Sequence, residues 1–335
     1  MSDASDPSSS FRAFRAVRLA LSLLLVLALG EGAVRAAAWL LRRDQVLRPA
    51  RAGANVIYCV GDSFTYGLGV ERTEAWPQQL AALLRTQGEG AEPVVRTLAE
   101  PGRSSSVAVL DVAKALKAGD ARLVLIMTGW NANDGDFAAW ATRRGRAVPW
   151  LTRADLWLSH SRLYRVAKQA LTYRSRTLML DNVEVIPQTY AMRLYDFRAY
   201  QEIARDNLEQ IAQMCHAAGV PCAFLTYPHQ ALPPNPYTRI EYYHALYGRT
   251  PISDADYLVR ERSPGEIAID AVIRQVSNSE DVPLIDTQPA FEDATVTGLF
   301  QEDWHHPTER GHRLIAATVF VAIERHRLPR RHVGK

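Results

Sequence analysis

From residue 55 onward, short apolar runs alternate with longer stretches in which apolar positions recur at helical spacing. Residues 55–60 (NVIYCV) form a β-branched run that stops at Gly61, so they predict a strand. A helix is expected over 76–87, ending before Gly88, and a second strand over 93–98. Residues 104–119 predict a helix with Ser104 as its cap and Gly119 as its stop. The run at 122–128 (RLVLIMT) is the most apolar of the strands and belongs in the middle of a sheet. A long helix over 198–218, a strand over 221–227, a helix from Pro264 to about Ser279, a short strand over 283–286 and a final helix over 308–325 complete the pattern. Ser263 and Glu266 have the spacing of a capping box around that proline. Strands that alternate with helices predict a parallel sheet covered on both faces, an α/β domain of three layers. No internal repeat is present.

Two stretches break the alternation, 135–197 and 228–260, the second rich in proline and tyrosine. Insertions at the ends of parallel strands commonly shape a site, because ligands bind at the carboxyl edge of such sheets. The alternative is that they pack on the domain without touching a ligand.

The first 54 residues follow another pattern. Residues 1–18 are small, polar and basic and read as a disordered start. The run from Leu19 to Gly30 is apolar on every side, and the segment 19–41 reads either as a transmembrane anchor or as a signal peptide cut after a small residue such as Ala36 or Ala38. Glu31 and Arg35 lie four apart, on one helix face, where each can partly neutralise the other. Arg12, Arg15 and Arg18 ahead of the run favour a cytoplasmic N-terminus, so either reading puts the body on the periplasmic or extracytoplasmic side. Residues 42–54 read as a linker, 55–328 as the domain, and 329–335 as a basic tail.

Charge separates the same parts. Residues 1–43 hold six arginines against three acids, and 325–335 hold five basic residues and no acid. The remaining residues carry 28 basic and 33 acidic side chains, an unpromising balance for binding nucleic acid. Three cysteines are too few for a disulfide framework; Cys215 and Cys222 either pair or serve as core residues.

The chemistry concentrates in two places. In 56–70 (VIYCVGDSFTYGLGV) a strand runs into Gly61, Asp62 and Ser63, which presents a serine hydroxyl to the crevice above the sheet. A serine hydroxyl is a weak nucleophile unless a base takes its proton. Residues 303–312 (DWHHPTERGH), between the last strand and the last helix, supply that base at the same edge. Asp303 and His306 are spaced so that a carboxylate can hold one imidazole nitrogen while the other faces Ser63. His305 reads as a rim residue. His305, His306 and His312 lack the further ligands of a familiar metal spacing, so neither a metal nor a cofactor is expected.

GDSFTYG near the start of the domain and Asp303, His306 and Pro307 near its end resemble the SGNH hydrolase superfamily, the GDSL esterases and lipases. The resemblance covers about residues 55–325. It implies a flavodoxin-like parallel sheet, a nucleophile at Ser63 and a triad of Ser63, Asp303 and His306. Gly102 falls where the family's second block needs a glycine, and Gly129-Trp130-Asn131 where its third block stands. An oxyanion needs preorganised donors, each worth roughly 3 kcal/mol. The backbone N–H groups of Ser63 and Gly102 and the Asn131 amide are the candidates, with Asn133 as the alternative, because the Asn-Asp pair falls at 133–134 rather than at 131–132. The activity implied is hydrolysis of acyl esters, acetyl or otherwise short, free or on cell-envelope glycans. Transfer of the same acyl group to a sugar hydroxyl, or a non-catalytic glycan-binding or assembly role, are the other readings. Trp76, Trp130, Trp140, Trp150 and Trp304 either line that edge, where they would suit sugar rings or acyl chains, or belong to the core.

Overall fold

The computed structural model describes residues 18–19, 21–22, 25–37, 55–87, 94–168, 170, 197–229, 264–292, 294, 297–301 and 306–325, with side chains omitted at 197–198 and 264–268. The chain divides into two compact units, one of residues 1–48 and 149–187, the other of 49–148 and 188–335.

The larger unit carries the sheet. Its elements are β1 (Val56–Gly61), α1 (Ser63–Tyr66), α2 (Trp76–Gln87), β2 (Val94–Ala99), α3 (Ser105–Lys117), β3 (Ala121–Met127) and α4 (Asp134–Arg143). After α5 (Trp150–Leu158), which belongs to the other unit, come α6 (Phe197–Ala218), β4 (Cys222–Leu225), α7 (Pro264–Ser279), β5 (Leu284–Ile285), α8 (Gln288–Glu292) and α9 (Glu309–Arg325). The strands pair in the order β2-β1-β3-β4-β5, every pair parallel, with β3 in the centre as its composition demands. That order is the flavodoxin-like, doubly wound one. Right-handed crossovers then send α2 to one face and α3, α6 and α7 to the other. Packing agrees: α9 returns to lie on α2, while α6 lies against both α3 and α7.

All six residues of β1 are buried, and so are the last five of β3. Burial on both faces is why these strands are apolar throughout and do not alternate. Cys59, Cys215 and Cys222 are free thiols and all are buried, a core placement for each. Trp76 and Trp140 are core residues too, 0% and 4% exposed. Strands β4 and β5 are shorter than expected. Past β4 the Tyr227 N–H leaves the ladder and donates to the Asp270 carboxylate, and past β5 the Asp286 carboxylate accepts from Arg274 and Thr226.

Gly61 ends β1 in a place only glycine fits. A Cβ there would collide with the Thr65 side chain and with the backbone carbonyl of Met127 on the neighbouring strand. At the other end of the domain, Gly311 lets α9 approach the chain at Leu299, whose carbonyl a Cβ would strike.

His312, fully buried on α9, accepts the Trp76 N–H at Nδ1. Burial, aided by the nearby His306, lowers its pKa from 6.5 to about 4. The folded state therefore holds this imidazole neutral where the unfolded chain would protonate it, and its contribution is complete above pH 6.5 and lost as pH falls towards 4. The expected loss is about 3 kcal/mol across that window. It should appear as a falling urea midpoint that flattens in His312→Gln.

In the smaller unit a helix covers 25–37, with the Arg35 Nε donating to Glu31 at 2.7 Å, so the pair four apart does meet. Glu31 also accepts from the Ser161 hydroxyl at 2.7 Å and from the backbone N–H groups of Arg162 and Leu163 at 3.0 and 2.9 Å, which caps the helix that follows. Among the described residues no helix is long and apolar enough to cross a membrane. Among the described residues the expectation of a spanning segment over 19–41 is thus not supported, and Glu31 within it is engaged in polar contacts. The linker at 42–54, the tail at 329–335 and most of the insertion at 228–260 lie outside the described residues. The insertion at 135–197 is split: α4 stays with the sheet, and 149–187 belong to the smaller unit.

Candidate active site

The register of the sheet aligns three strand ends. Gly61 pairs with Ala99 on one side and Met127 on the other. Ser63, Gly102 and Asn131 therefore all follow within a few residues of the same edge. Ser63 opens α1, a four-residue helix capped by Asp62, whose Oδ1 accepts from the Phe64 N–H at 3.1 Å. Gly67 closes it in the left-handed conformation at φ 82°. This short helix was not visible in the apolar pattern.

Ser63 is 5% exposed, and its Oγ lies 2.9 Å from Nε2 of His306, across a sequence separation of 243 residues. The chain around His306 is pinned from both sides. The backbone carbonyl of His306 accepts the Gln301 N–H at 2.8 Å, and the Gln301 side-chain amide donates to the carbonyls of Leu68 and Pro307 at 2.7 and 2.9 Å. Thr308 ties in below, donating its hydroxyl to the Gly298 carbonyl. The imidazole ring rests on Phe64, centroids 5.4 Å apart. Asp303, Trp304 and His305 lie outside the described residues.

Asp62 is fully buried and is the polar hub beneath Ser63. Its Oδ2 accepts from the Tyr227 hydroxyl at 2.7 Å and from the Asn131 amide at 3.3 Å. Burial and the Asp62 carboxylate push the Tyr227 hydroxyl well above the ordinary tyrosine range, so it remains a donor. The same oxygen accepts the Trp130 N–H at 3.5 Å. Tyr227 thus joins the Gly61–Ser63 turn to the loop after β3, a role the sequence did not reveal: its only signal was its place as the last residue of the strand expected over 221–227.

The two asparagines differ sharply. Asn133 caps α4, accepting from the N–H groups of Gly135 and Asp136 while Asp136 returns the bond to the Asn133 N–H. Its amide nitrogen donates to Ser104 Oγ at 3.2 Å. Among the described residues Asn131 donates one amide hydrogen, to Asp62. Gly102 has φ 70°, which favours glycine, and a Cβ there would meet open space. Among the described residues no group of three or more His, Cys, Asp or Glu side chains is arranged to hold a metal ion.

A hydroxyl held 2.9 Å from an imidazole nitrogen at a strand-end turn can lose its proton to that nitrogen as it attacks a carbonyl. Residues 59–314 match the model of the GDSL-like lipase/acylhydrolase family. A search of curated proteins finds no match. Several solved structures are similar at low identity. A psychrotrophic esterase from Pseudoalteromonas sp. is 14% identical, covering 81% of this chain and 97% of its own at TM-score 0.45. A lipase/acylhydrolase from Enterococcus faecalis is 14% identical, covering 81% and 96% at TM-score 0.46. A GDSL-like lipase from Bacteroides thetaiotaomicron is 13% identical, covering 88% and 98% at TM-score 0.42.

Proposed function

Since the chain belongs to the GDSL-like lipase/acylhydrolase family and is therefore an ester-bond hydrolase, we propose that it cleaves short acyl esters, acetyl above all, through an acyl-enzyme on Ser63. The observation that carries this reading is the 2.9 Å separation of Ser63 Oγ and His306 Nε2. With its proton on Nδ1, His306 accepts the Ser63 proton at Nε2 while Oγ bonds to the ester carbonyl carbon. Asp303 is assigned to hold the Nδ1 proton. The carbonyl oxygen becomes an oxyanion, received by the N–H groups of Ser63 and Gly102 and the second amide hydrogen of Asn131. Collapse breaks the bond to the alcohol oxygen, which leaves with the proton from His306. Water then attacks the acyl carbon, His306 takes its proton, and the carboxylic acid departs as Oγ is reprotonated.

Asn131 is preferred to Asn133 because the second is committed to its cap and to Ser104. The basic residues Arg12, Arg15 and Arg18 ahead of an apolar run support a catalytic domain outside the cytoplasm, with acyl groups on envelope glycans as the natural substrate class. The test is turnover of a chromogenic acetyl ester by the full chain beside Ser63→Ala. The account expects a fall of at least about 10³-fold in kcat with unchanged thermal midpoint. Turnover that survives the substitution would sink it. Acetyl appearing on an added oligosaccharide faster than in water would favour acyl transfer over hydrolysis.

A further inference from the structure

Helix α5 in the smaller unit is built opposite to a helix of a water-soluble surface. Trp150, Leu151, Trp157 and Leu158 are 74%, 63%, 73% and 38% exposed. With about 100° per residue, these four and Ala154 fall within an arc of roughly 120°. Arg153, also exposed, borders the arc beside Trp157. The polar side chain of α5 faces its own unit: Asp155 accepts from the Tyr164 hydroxyl at 2.6 Å and from Lys168 Nζ at 2.7 Å. The next segment is fixed in turn by Glu31, through Ser161, Arg162 and Leu163. Polar contacts thus hold 25–37, α5 and 161–168 together, while bulky apolar side chains are left outside. Leu25, Val26, Leu29 and Val166 of the same unit are likewise 53% to 64% exposed.

We propose that the exposed face of α5 docks on an anionic lipid bilayer. Two tryptophans one heptad apart suit the boundary between headgroups and acyl chains, where an indole keeps its ring in apolar surroundings and its N–H wet. A narrow apolar arc with a cation at its rim is the pattern of a helix lying in that interface rather than crossing it. Charge sets the choice of bilayer over a protein groove. Residues 149–168 hold Arg153, Arg162, Arg165 and Lys168 against Asp155 alone. Such an excess is drawn to anionic headgroups and weakened by salt. The insertion at 149–168 becomes a lipid contact in its own right, separate in sequence from the apolar run at 19–41. It does not depend on the chemistry assigned to Ser63.

The experiment uses the full chain on vesicles of phosphatidylcholine and phosphatidylglycerol at about 7:3, with a brominated lipid as quencher of tryptophan emission. Wild type should be quenched, and Trp150→Phe/Trp157→Phe should lose at least half of the quenchable emission with ester turnover unchanged. Arg153→Glu/Arg165→Glu should weaken binding to these vesicles about tenfold and leave binding to pure phosphatidylcholine as it was. Equal quenching in wild type and the tryptophan variant would overturn the proposal. So would lipid-free self-association of wild type that the tryptophan variant abolishes, since the face would then join copies of the chain.

Discussion

His306→Ala should lower kcat on a short acyl ester by about 10³- to 10⁴-fold, with KM changed only a few-fold. The imidazole is the only described base within hydrogen-bond reach of Ser63 Oγ, at 2.9 Å. Without it the hydroxyl must lose its proton to water, and the alcohol must leave without an acid. Ground-state binding does not use that proton transfer, so the loss belongs in kcat. Folding should suffer little, because the backbone of this position is held by Gln301 and that of its neighbour Thr308 by Leu299, bonds that the substitution leaves in place. Stopped assays of kcat and KM together with a thermal melt check both halves. A parallel loss of stability and activity would mean that the substitution had disrupted the loop rather than the chemistry.

The second large effect separates the two asparagines. Asn131→Ala removes the donor proposed for the developing oxyanion and should cost about 10²- to 10³-fold in kcat. Asn133→Ala removes a helix cap and should cost about 1 kcal/mol of stability while leaving kcat nearly unchanged. The contrast follows from where their bonds go. Asn133 spends its side-chain oxygen on Gly135 and Asp136, which ties its amide to the start of α4, whereas among the described residues Asn131 bonds to Asp62, next to Ser63 in the chain. Kinetics of the two variants side by side, with denaturant melts, decide the matter. Loss of activity in Asn133→Ala alone would reverse the assignment.

What could be read from the chain follows from the range of each interaction. Helices and strands with a full apolar face were legible, as with β3 or the helix closing at Gly219, because periodicity is local. The four-residue α1 was not, since its stability comes from the Asp62 cap and Gly67 and not from a periodic face. Ser63 and His306 could be named because each sits in a compact motif, although 243 residues lie between them. Tyr227 could not. Its value depends on the buried Asp62 that it meets from a different strand, a contact no spacing encodes. The grouping of 149–187 with the N-terminal segment was hidden for the same reason. Glu31 appeared in the sequence only as a partner for Arg35, yet it also caps a helix some 130 residues later. Trp150 illustrates the limits of composition: the sequence left it open between the active edge and the core, and it stands 74% exposed in the smaller unit.

The central claim is that Ser63 becomes covalently acylated with His306 as its base. Its most direct measurement is labelling of the full chain with a fluorophosphonate, followed by mass spectrometry of the peptides. One adduct on the peptide that carries Ser63, absent in Ser63→Ala and formed about 10²-fold more slowly in His306→Ala, is the expected result. An adduct on another residue, or labelling at the same rate without His306, would contradict it.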